Sequence, residues 1–231
     1  MEVYMSKLKK YFSPFEIGLW CSSVALIIVS FCIFDRESYM TLAASLIGVT
    51  SLIFCAKGNP VGQVLMIIFG ILYGIISLSF SYYGEMITYM GMTVPMAVFA
   101  LISWLKNPYG EGKSEVKVNR ISGKEIGFAV ILTVIVTVVF YFILDAFGTA
   151  NILPSTISVT TSFFAVYLCF RRSPYFALAY AANDVILIIL WTLAAINDIS
   201  YMSVIICFVV FLANDLYGFF NWLKMQKRQA K

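Results

Sequence analysis

Apolar residues in this chain form long runs rather than the short alternating patterns of a soluble domain. A helix needs about 20 apolar residues to cross the hydrocarbon core of a bilayer. Eight runs reach that length, and we number the predicted helices 1 to 8: residues 15–34, 38–56, 61–82, 85–105, 125–146, 152–171, 174–196 and 198–223. The pattern therefore predicts an all-α polytopic membrane protein with eight transmembrane helices.

The composition agrees with this class, because 61% of the residues are hydrophobic and only 12% are charged. The first run is long enough to span and lacks a small-residue cleavage site, so we expect it to stay as a membrane anchor and not to be a signal peptide.

The positions of Lys and Arg predict the orientation. With eight crossings and a cytoplasmic N-terminus, only Arg36 of the 16 basic residues falls outside. The others lie on the predicted inner side: Lys7, Lys9, Lys10, Lys57, Lys106, Lys113, Lys117, Arg120, Lys124, Arg171, Arg172, Lys224, Lys227, Arg228 and Lys231. The positive-inside rule thus predicts that both termini are cytoplasmic. These charges form no clustered basic face, so nucleic acid is not an expected partner.

Two motifs occur twice along the chain. Residues 54–60 resemble residues 168–174 at an offset of 114, and residues 103–106 resemble residues 221–224 at an offset of 118. Helices 2–4 and 6–8 are therefore predicted to be two parallel three-helix units joined by linker helix 5. The predicted division is 1–37 for an N-terminal segment with an extra helix, 38–106 for the first unit, 107–150 for a cytoplasmic linker with the linker helix, and 151–231 for the second unit with a cytoplasmic tail.

The linker before helix 5, residues 107–124, is polar, basic and rich in turn residues. We interpret it as a cytoplasmic loop whose charges fix the topology of the neighbouring helices.

Several chemistries are excluded by what the chain lacks. It has no His, and its five Cys stand singly in apolar helices, where we expect them to serve packing. No metal site, no cofactor and no catalytic residue is predicted, and no Gly-rich phosphate loop indicates ATP hydrolysis. Two carboxyl groups without a neighbouring nucleophile make an intramembrane enzyme the weakest hypothesis.

Two Ala-Asn-Asp triplets lie within helices 7 and 8 and mark the predicted substrate site. They contain Asn183 and Asp184 in the first case and Asn214 and Asp215 in the second. An Asp buried in a bilayer costs about 2.5 to 3.5 kcal/mol, so two are expected only beside water, a ligand or each other. The alternative for the Asn residues is hydrogen bonding between helices.

Aromatic side chains accompany these polar groups. Asn214, Tyr217 and Asn221 share one face of helix 8 because they are spaced i, i+3, i+7. Trp191 lies about two turns beyond Asp184 in helix 7, and Tyr73 in helix 3 is a further candidate. Such a set suits a small planar solute with hydroxyl or amide groups. Trp191 and Trp222 could equally be interfacial anchors.

The chain resembles the PnuC-type vitamin transporters over roughly residues 40–224. The resemblance rests on the segment Val-Phe-Leu-Ala-Asn-Asp-Leu-Tyr-Gly-Phe-Phe-Asn-Trp at 210–222 and on Tyr83-Gly84-Glu85-Met86 leading to Pro95 and Trp104, with Tyr167-Leu168 and Arg171-Arg172. It implies a SWEET-like fold with an extra N-terminal helix in the inner membrane of a bacterium. It also implies facilitated diffusion of nicotinamide riboside, with trapping by a cytoplasmic nucleoside kinase.

The chain departs from the family pattern near the site. Members that bind nicotinamide riboside usually carry Trp-x-x-Trp before the helix 7 Asn or Asp, whereas this chain has Phe176 and Ala179, or Ala177 and Tyr180. Tyr180 is the predicted ring-stacking replacement in the second alignment. Met96 and Ala97 follow Pro95 where members tend to place an amide.

Three alternatives stay open. Transporters related to this family handle deoxynucleosides, thiamine or riboflavin, so the resemblance leaves these solutes open. Transport could be coupled to protons through Asp184 or Asp215. The chain could also be the capture subunit of an ATP-driven transporter, because Ala177 and Ala181 have the spacing of a small-residue helix interface. The sequence leaves homo-oligomer formation open as well.

Overall fold

The structure is a computed structural model that describes residues 11–79, 83–110, 114–149 and 151–230. Within this part of the chain, 8 helices are long and apolar enough to cross a membrane. They are α1 Pro14–Phe34, α2 Tyr39–Ala56, α3 Pro60–Ser79, α4 Tyr83–Leu105, α5 Gly123–Ala146, α6 Ile152–Phe170, α7 Tyr175–Ala195 and α8 Met202–Gln229, the last preceded by the 3₁₀ turn Ile199–Tyr201. The predicted all-α class and the eight helices are confirmed.

Two predicted boundaries need comment. α8 continues to Gln229 instead of ending at 223, because its polar last turn hydrogen-bonds to the linker between α4 and α5. The predicted end of helix 3 at 82 lies outside the described residues.

α1 begins at a capping box that the sequence carries in full. The Ser13 hydroxyl accepts from the backbone N–H of Glu16 at 3.2 Å, and the Glu16 carboxylate accepts from the backbone N–H of Ser13 at 2.6 Å. Pro14 occupies the first turn, where its missing N–H costs nothing. These contacts fix the start of α1 and bury the Glu16 side chain inside the bundle.

α4 contains a π-helical turn at Tyr89–Thr93, directly before Pro95. Proline cannot donate a backbone hydrogen bond, and its ring clashes with the carbonyl four residues earlier. The wider turn, in which the N–H of Val94 bonds to the carbonyl of Tyr89, accommodates the proline without ending the helix. It also sets the direction of the Tyr89 side chain towards the bundle interior.

α1 and α5 lie at the periphery. Their most apolar windows are 22% and 11% buried, compared with 50% for α2 and 56% for α6. The remaining six helices form the core, in which α2 packs on α8 and α4 packs on α6. These two contacts have equivalent positions in the predicted repeat, since α2 corresponds to α6 and α4 to α8.

Reciprocal hydrogen bonds join the two predicted units at one end of the bundle. We name it the basic end; it contains residues 57–59, 106–110, 114–122, 171–174 and 224–229. The Trp104 indole N–H donates to the carbonyl of Cys169 at 3.0 Å, and the Trp222 N–H donates to the carbonyl of Cys55 at 2.8 Å. The two indole rings lie 5.4 Å apart. This reciprocity is what two equivalent units would produce; the unit boundaries themselves stay a prediction.

The helix ends that receive these bonds also have matching backbones. Gly58 after α2 has φ of 64°, and Arg172 after α6 has φ of 57°. Both positions are left-handed, a conformation that glycine adopts freely and that costs an arginine energy. The Arg172 guanidinium donates to the Ser103 hydroxyl at 2.6 Å and to the carbonyl of Lys117 at 3.2 Å, which holds that turn in place.

The linker between α4 and α5 is ordered over the residues described at 114–122 and crosses the basic end. The N–H of Val116 donates to the carbonyl of Gly58, and the N–H of Asn119 donates to the carbonyl of Arg172. Gln229 at the end of α8 bonds to Glu115, Val116 and Val118. The segment therefore connects the turns of both units, which its composition did not predict; its topology role stays a prediction.

One expectation about side chains was wrong, and burial argues against one alternative. Cys21 and Cys32 are exposed on α1, so only Cys55, Cys169 and Cys207 serve core packing. Trp222 and Trp191 are not at an exposed boundary, since they are 0% and 5% exposed. Tertiary contacts between helices decided this, and a single-helix pattern does not contain them.

We predict that Trp104→Phe and Trp222→Phe each lower the free energy of unfolding by about 2 to 4 kcal/mol, because a buried N–H donor is lost and a cavity is left. Thermal unfolding in detergent would measure the change. Trp20→Phe is the control, because Trp20 is half-exposed and its N–H bonds only to Thr50. Equal shifts for all three variants would contradict a special role of the two core indoles.

Candidate functional site

A cavity of about 430 Å³ lies at the end of the bundle opposite the basic end. We call it the vestibule. Its volume is in the range of small-molecule sites, about 300 to 1,000 Å³. Its walls carry four aromatic rings and two carboxyl groups: Tyr83, Phe147, Trp191, Tyr201, Glu85 and Asp198. It is therefore an aromatic and acidic cavity.

Glu85 lies in the first turn of α4, at the wall of the vestibule. It is only 7% exposed, and its Oε2 atom has no hydrogen-bond partner among the described residues. Gly84 allows the α5 end to approach closely, because a Cβ there would lie 2.7 Å from Thr149 Oγ1 and 2.8 Å from Leu144 Cδ2. The backbone thus places a buried carboxyl group against a tightly packed corner.

Asp198 stands at the mouth of the vestibule and caps the 3₁₀ turn before α8. Its Oδ1 atom accepts from the backbone N–H of Ser200 at 2.9 Å. This backbone hydrogen bond lowers the pKa of Asp198 below its ordinary value. The mouth therefore carries a negative charge at neutral pH.

Next to the vestibule the rings of α3, α4, α7 and α8 meet. Tyr73 lies at the centre, with ring centroids 4.5 Å from Tyr89, 6.3 Å from Trp191, 6.2 Å from Phe208 and 5.6 Å from Phe69. We call these five residues the ring cluster. Trp191 lines the vestibule and also belongs to the ring cluster, so the ring cluster begins where the vestibule ends.

A pair of carboxyl groups lies beside the ring cluster. Asp184 of α7 and Asp215 of α8 are 4% and 6% exposed and lie next to each other in the interior of the bundle. Asp184 interacts electrostatically with Tyr89, and Asp215 with Tyr180. The two triplets singled out by sequence are thus brought together through their Asp residues.

Asn183 points away from this pair, towards α6. Its Oδ1 atom accepts hydrogen bonds from Thr161 at 2.8 Å, Ser162 at 3.0 Å and Ser158 at 3.5 Å. These bonds tie α7 to α6, the interhelical role that polar residues often have in membranes. A solute that contacted Asn183 would have to displace them.

The predicted polar face of α8 packs on α1 and α2. Asn214 donates to the Ser23 hydroxyl at 3.0 Å, and Asn221 donates to the carbonyl of Ala56 at 2.8 Å. Tyr217 donates to Glu16 at 2.8 Å. The Asn214 Oδ1 atom has no partner among the described residues, so of the three side chains Asn214 keeps a buried acceptor to offer.

Glu16 is the centre of a polar network near the basic end. Its carboxylate accepts from Tyr217 and from the Lys57 ammonium at 3.1 Å. The Tyr217 ring also lies 5.3 Å from that of Phe15. Tyr217 therefore attaches α1 to α8, at a distance from the ring cluster.

Sequence reasoning did not place Glu85 and Tyr89 among the candidate residues. Glu85 could have been found, because a charged residue at the start of an apolar run is itself a signal. Tyr89 has no such signal, since its direction depends on the π turn before Pro95. No group of three His, Cys, Asp or Glu in the described ranges could hold a metal ion.

A larger groove of about 850 Å³ runs along the side of the bundle between α5, α6 and α7. Its walls are mainly apolar, and the residues that line it from α5 and α7 are largely exposed. It has no buried carboxyl group, so we assign the site to the vestibule and the ring cluster instead.

An eight-helix membrane bundle with a polar, aromatic centre between two halves has the architecture of a transporter. The family model of nicotinamide mononucleotide transporters matches residues 38–224. The chain therefore belongs to this transporter family, which confirms the resemblance to PnuC-type proteins. α1 lies before the matched range, as the resemblance implied.

Individual relatives agree. The chain is 27% identical over 203 residues to the nicotinamide riboside transporter PnuC of Neisseria mucosa, covering 86% of this chain and 77% of that protein. It is 21% identical over 228 residues to PnuC of Haemophilus influenzae, covering 96% and 97%. The crystal structure of the vitamin B3 transporter PnuC superimposes with a TM-score of 0.82 at 24% identity over 94% of each chain. That likeness shows the shared fold.

We predict that Tyr217→Phe lowers the free energy of unfolding by about 1 kcal/mol, because a hydrogen bond to a buried carboxylate is lost while the ring contact with Phe15 remains. The affinity for a transported solute should change by less than about twofold, since the ring cluster is untouched. Thermal unfolding and solute binding on the same purified sample would measure both. A large loss of solute binding with unchanged stability would show instead that Tyr217 contacts the solute.

Proposed function

We propose that this chain transports nicotinamide riboside by facilitated diffusion. Family membership establishes a membrane transporter, and the two named relatives are nicotinamide riboside transporters. One observation carries the choice of solute. The vestibule leads to a cluster of rings beside a carboxyl pair, which suits a planar aromatic base joined to a sugar with hydroxyl groups.

In this proposal the residues of the ring cluster and of the carboxyl pair contact different parts of the solute. Tyr73, Tyr89 and Trp191 would contact the faces and edges of the base, a contact worth about 0.5 to 1.5 kcal/mol for each ring pair. Asp184 and Asp215 would bind the ribose hydroxyls, with Tyr180 beside them. These assignments account for the missing Trp-x-x-Trp pair, because rings from α3 and α4 replace it.

Two asparagines have secondary roles in this proposal. Asn214 would contribute its buried carbonyl oxygen, the one polar atom of that side chain left without a partner in the described structure. Asn183 would position α7 through its bonds to α6. Asn221 and Tyr217 would hold the packing of α8 against α1 and α2.

Alternating access would come from rocking of the two three-helix units about the ring cluster. The vestibule is the opening at one end, while indole bonds and the linker close the basic end. The positive-inside asymmetry supports placing the basic end and both termini in the cytoplasm of a bacterial cell, with the vestibule facing outward.

Trapping inside the cell would depend on a cytoplasmic nucleoside kinase. A phosphate adds charge that the acidic vestibule would repel, so the phosphorylated product would not return by the same path. The transporter itself then needs no energy source.

The small-residue spacing that suggested a capture subunit of an ATP-driven transporter has another explanation in the structure. Ala177 and Ala181 are 1% and 3% exposed, and a Cβ at Gly218 of α8 would lie 3.7 Å from Ala177 Cβ. The small-residue face therefore packs within the bundle and is not open to another subunit. Proton coupling is the second candidate, because Asp184 and Asp215 are two adjacent buried carboxyl groups at the place where the solute would bind.

We predict that the purified chain alone, in liposomes, takes up nicotinamide riboside in preference to thiamine, riboflavin and deoxynucleosides. Trp191→Leu should raise the KM about tenfold, because a ring contact at the vestibule floor is lost. Trp20→Leu is the matched control on the outer surface of α1 and should leave the KM unchanged. Preference for another solute would overturn the substrate assignment, and equal effects of both variants would overturn the role of Trp191.

We also predict that the internal concentration of nicotinamide riboside rises to the external value and no further in liposomes without kinase or ATP. Collapsing an imposed proton gradient should leave the uptake rate unchanged. Accumulation above the external concentration, or strong inhibition by a protonophore, would favour proton coupling through the carboxyl pair over facilitated diffusion.

A further inference from the structure

Acidic residues are in excess at the vestibule end of the bundle. The helix ends and connections there carry Asp35, Glu37, Glu85, Asp145 and Asp198, against a single basic residue, Arg36. A surplus of one sign near a cavity with low-dielectric walls raises the local concentration of ions of the other sign. The vestibule end therefore attracts cations before any contact is made.

Within the vestibule, Glu85 is the acidic residue that can recognise a particular solute. The side chain is more than nine-tenths buried, and its Oε2 atom has no hydrogen-bond partner in the described ranges. The ion pairs that the structure describes are Lys57 with Glu16, Arg171 with Glu125 and Arg228 with Glu115, so none involves Glu85. No Lys or Arg is among the described residues that line the cavity. A buried carboxylate without a cation is costly, and an incoming cation offsets that cost.

The rings around Glu85 fit the same kind of ligand. Tyr83, Phe147, Trp191 and Tyr201 line the cavity with it. The face of an aromatic ring attracts a cation and binds it more strongly when water is excluded. A carboxyl group in a cavity lined by aromatic rings suits a flat organic cation, whereas a metal ion would need more oxygen ligands.

We propose that Glu85, with the vestibule rings, recognises the positive charge of a pyridinium ring and so selects cationic over uncharged solutes. The inference rests on the proposed function in that nicotinamide riboside carries such a ring. Glu85 acts before the carboxyl pair on the path inward, because Glu85 lines the vestibule, whereas the pair lies beside the ring cluster that begins at Trp191.

Solute binding to the purified protein tests whether the positive charge of the ring is itself recognised. 1-Methylnicotinamide is a cation and nicotinamide is its uncharged counterpart, and both report through quenching of tryptophan fluorescence. We expect the cation to bind about tenfold more tightly in the unaltered protein and Glu85→Gln to remove that difference. Asp145→Asn is the control, because it removes one exposed acidic group from the same end without lining the cavity. Equal affinities in the unaltered protein would overturn the proposal even if Glu85→Gln failed to fold.

Uptake into liposomes separates this proposal from the proposed function. Nicotinamide riboside is compared with its reduced, uncharged form. We expect Glu85→Gln to raise the KM for the cation about tenfold and to leave that for the reduced form within about twofold. A similar rise for both solutes would overturn charge recognition and leave the proposed function standing. Charge-selective binding without uptake of either riboside would support the role of Glu85 and overturn the assigned solute.

Discussion

Two indole N–H groups join the halves of this protein, and the rest of the architecture depends on them. The last carbonyls of a helix have no partner within the helix, and in a lipid environment an unsatisfied group costs several kcal/mol. The carbonyls of Cys55 and Cys169 accept the N–H of their own turn and then the indole of the opposite unit. Each unit therefore completes the helix end of the other, which keeps their cores together at the basic end.

The two ends of the bundle differ because the indole hydrogen bonds join the two units at the basic end. At the basic end the indole bonds, the left-handed turns and the linker at 114–122 close the structure. At the other end the helices leave a cavity whose walls are aromatic and acidic. A transporter that opens each side in turn needs such an asymmetry in any one state, and the proposed rocking of the units would reverse it.

The polar side chains within the membrane fall into two groups. Some have hydrogen-bond partners within the protein, and others keep a polar atom without a partner among the described residues. Asn183, Tyr217 and Asn221 have partners on α6, α1 and α2, so they fix helix positions. Glu85 and Asp184 each keep one buried oxygen without a partner in the part of the chain described. Buried polar groups are normally hydrogen-bonded. Glu85, which lines the vestibule, and Asp184, which lies beside the ring cluster, are therefore the candidate contacts for a solute.

The sequence by itself determined the class, the number of helices and the family, because apolar run length and charge asymmetry are properties of single segments. It also singled out Asp184 and Asp215, since a carboxyl group in an apolar run is visible without a fold. Only the tertiary structure decided that these two meet while Asn183, Tyr217 and Asn221 bond to other helices. It alone placed Tyr89 and Glu85 at the site, through the π turn of α4 and the close packing at Gly84. Periodicity shows which residues share a helix face, but the partner of that face is set by packing between helices.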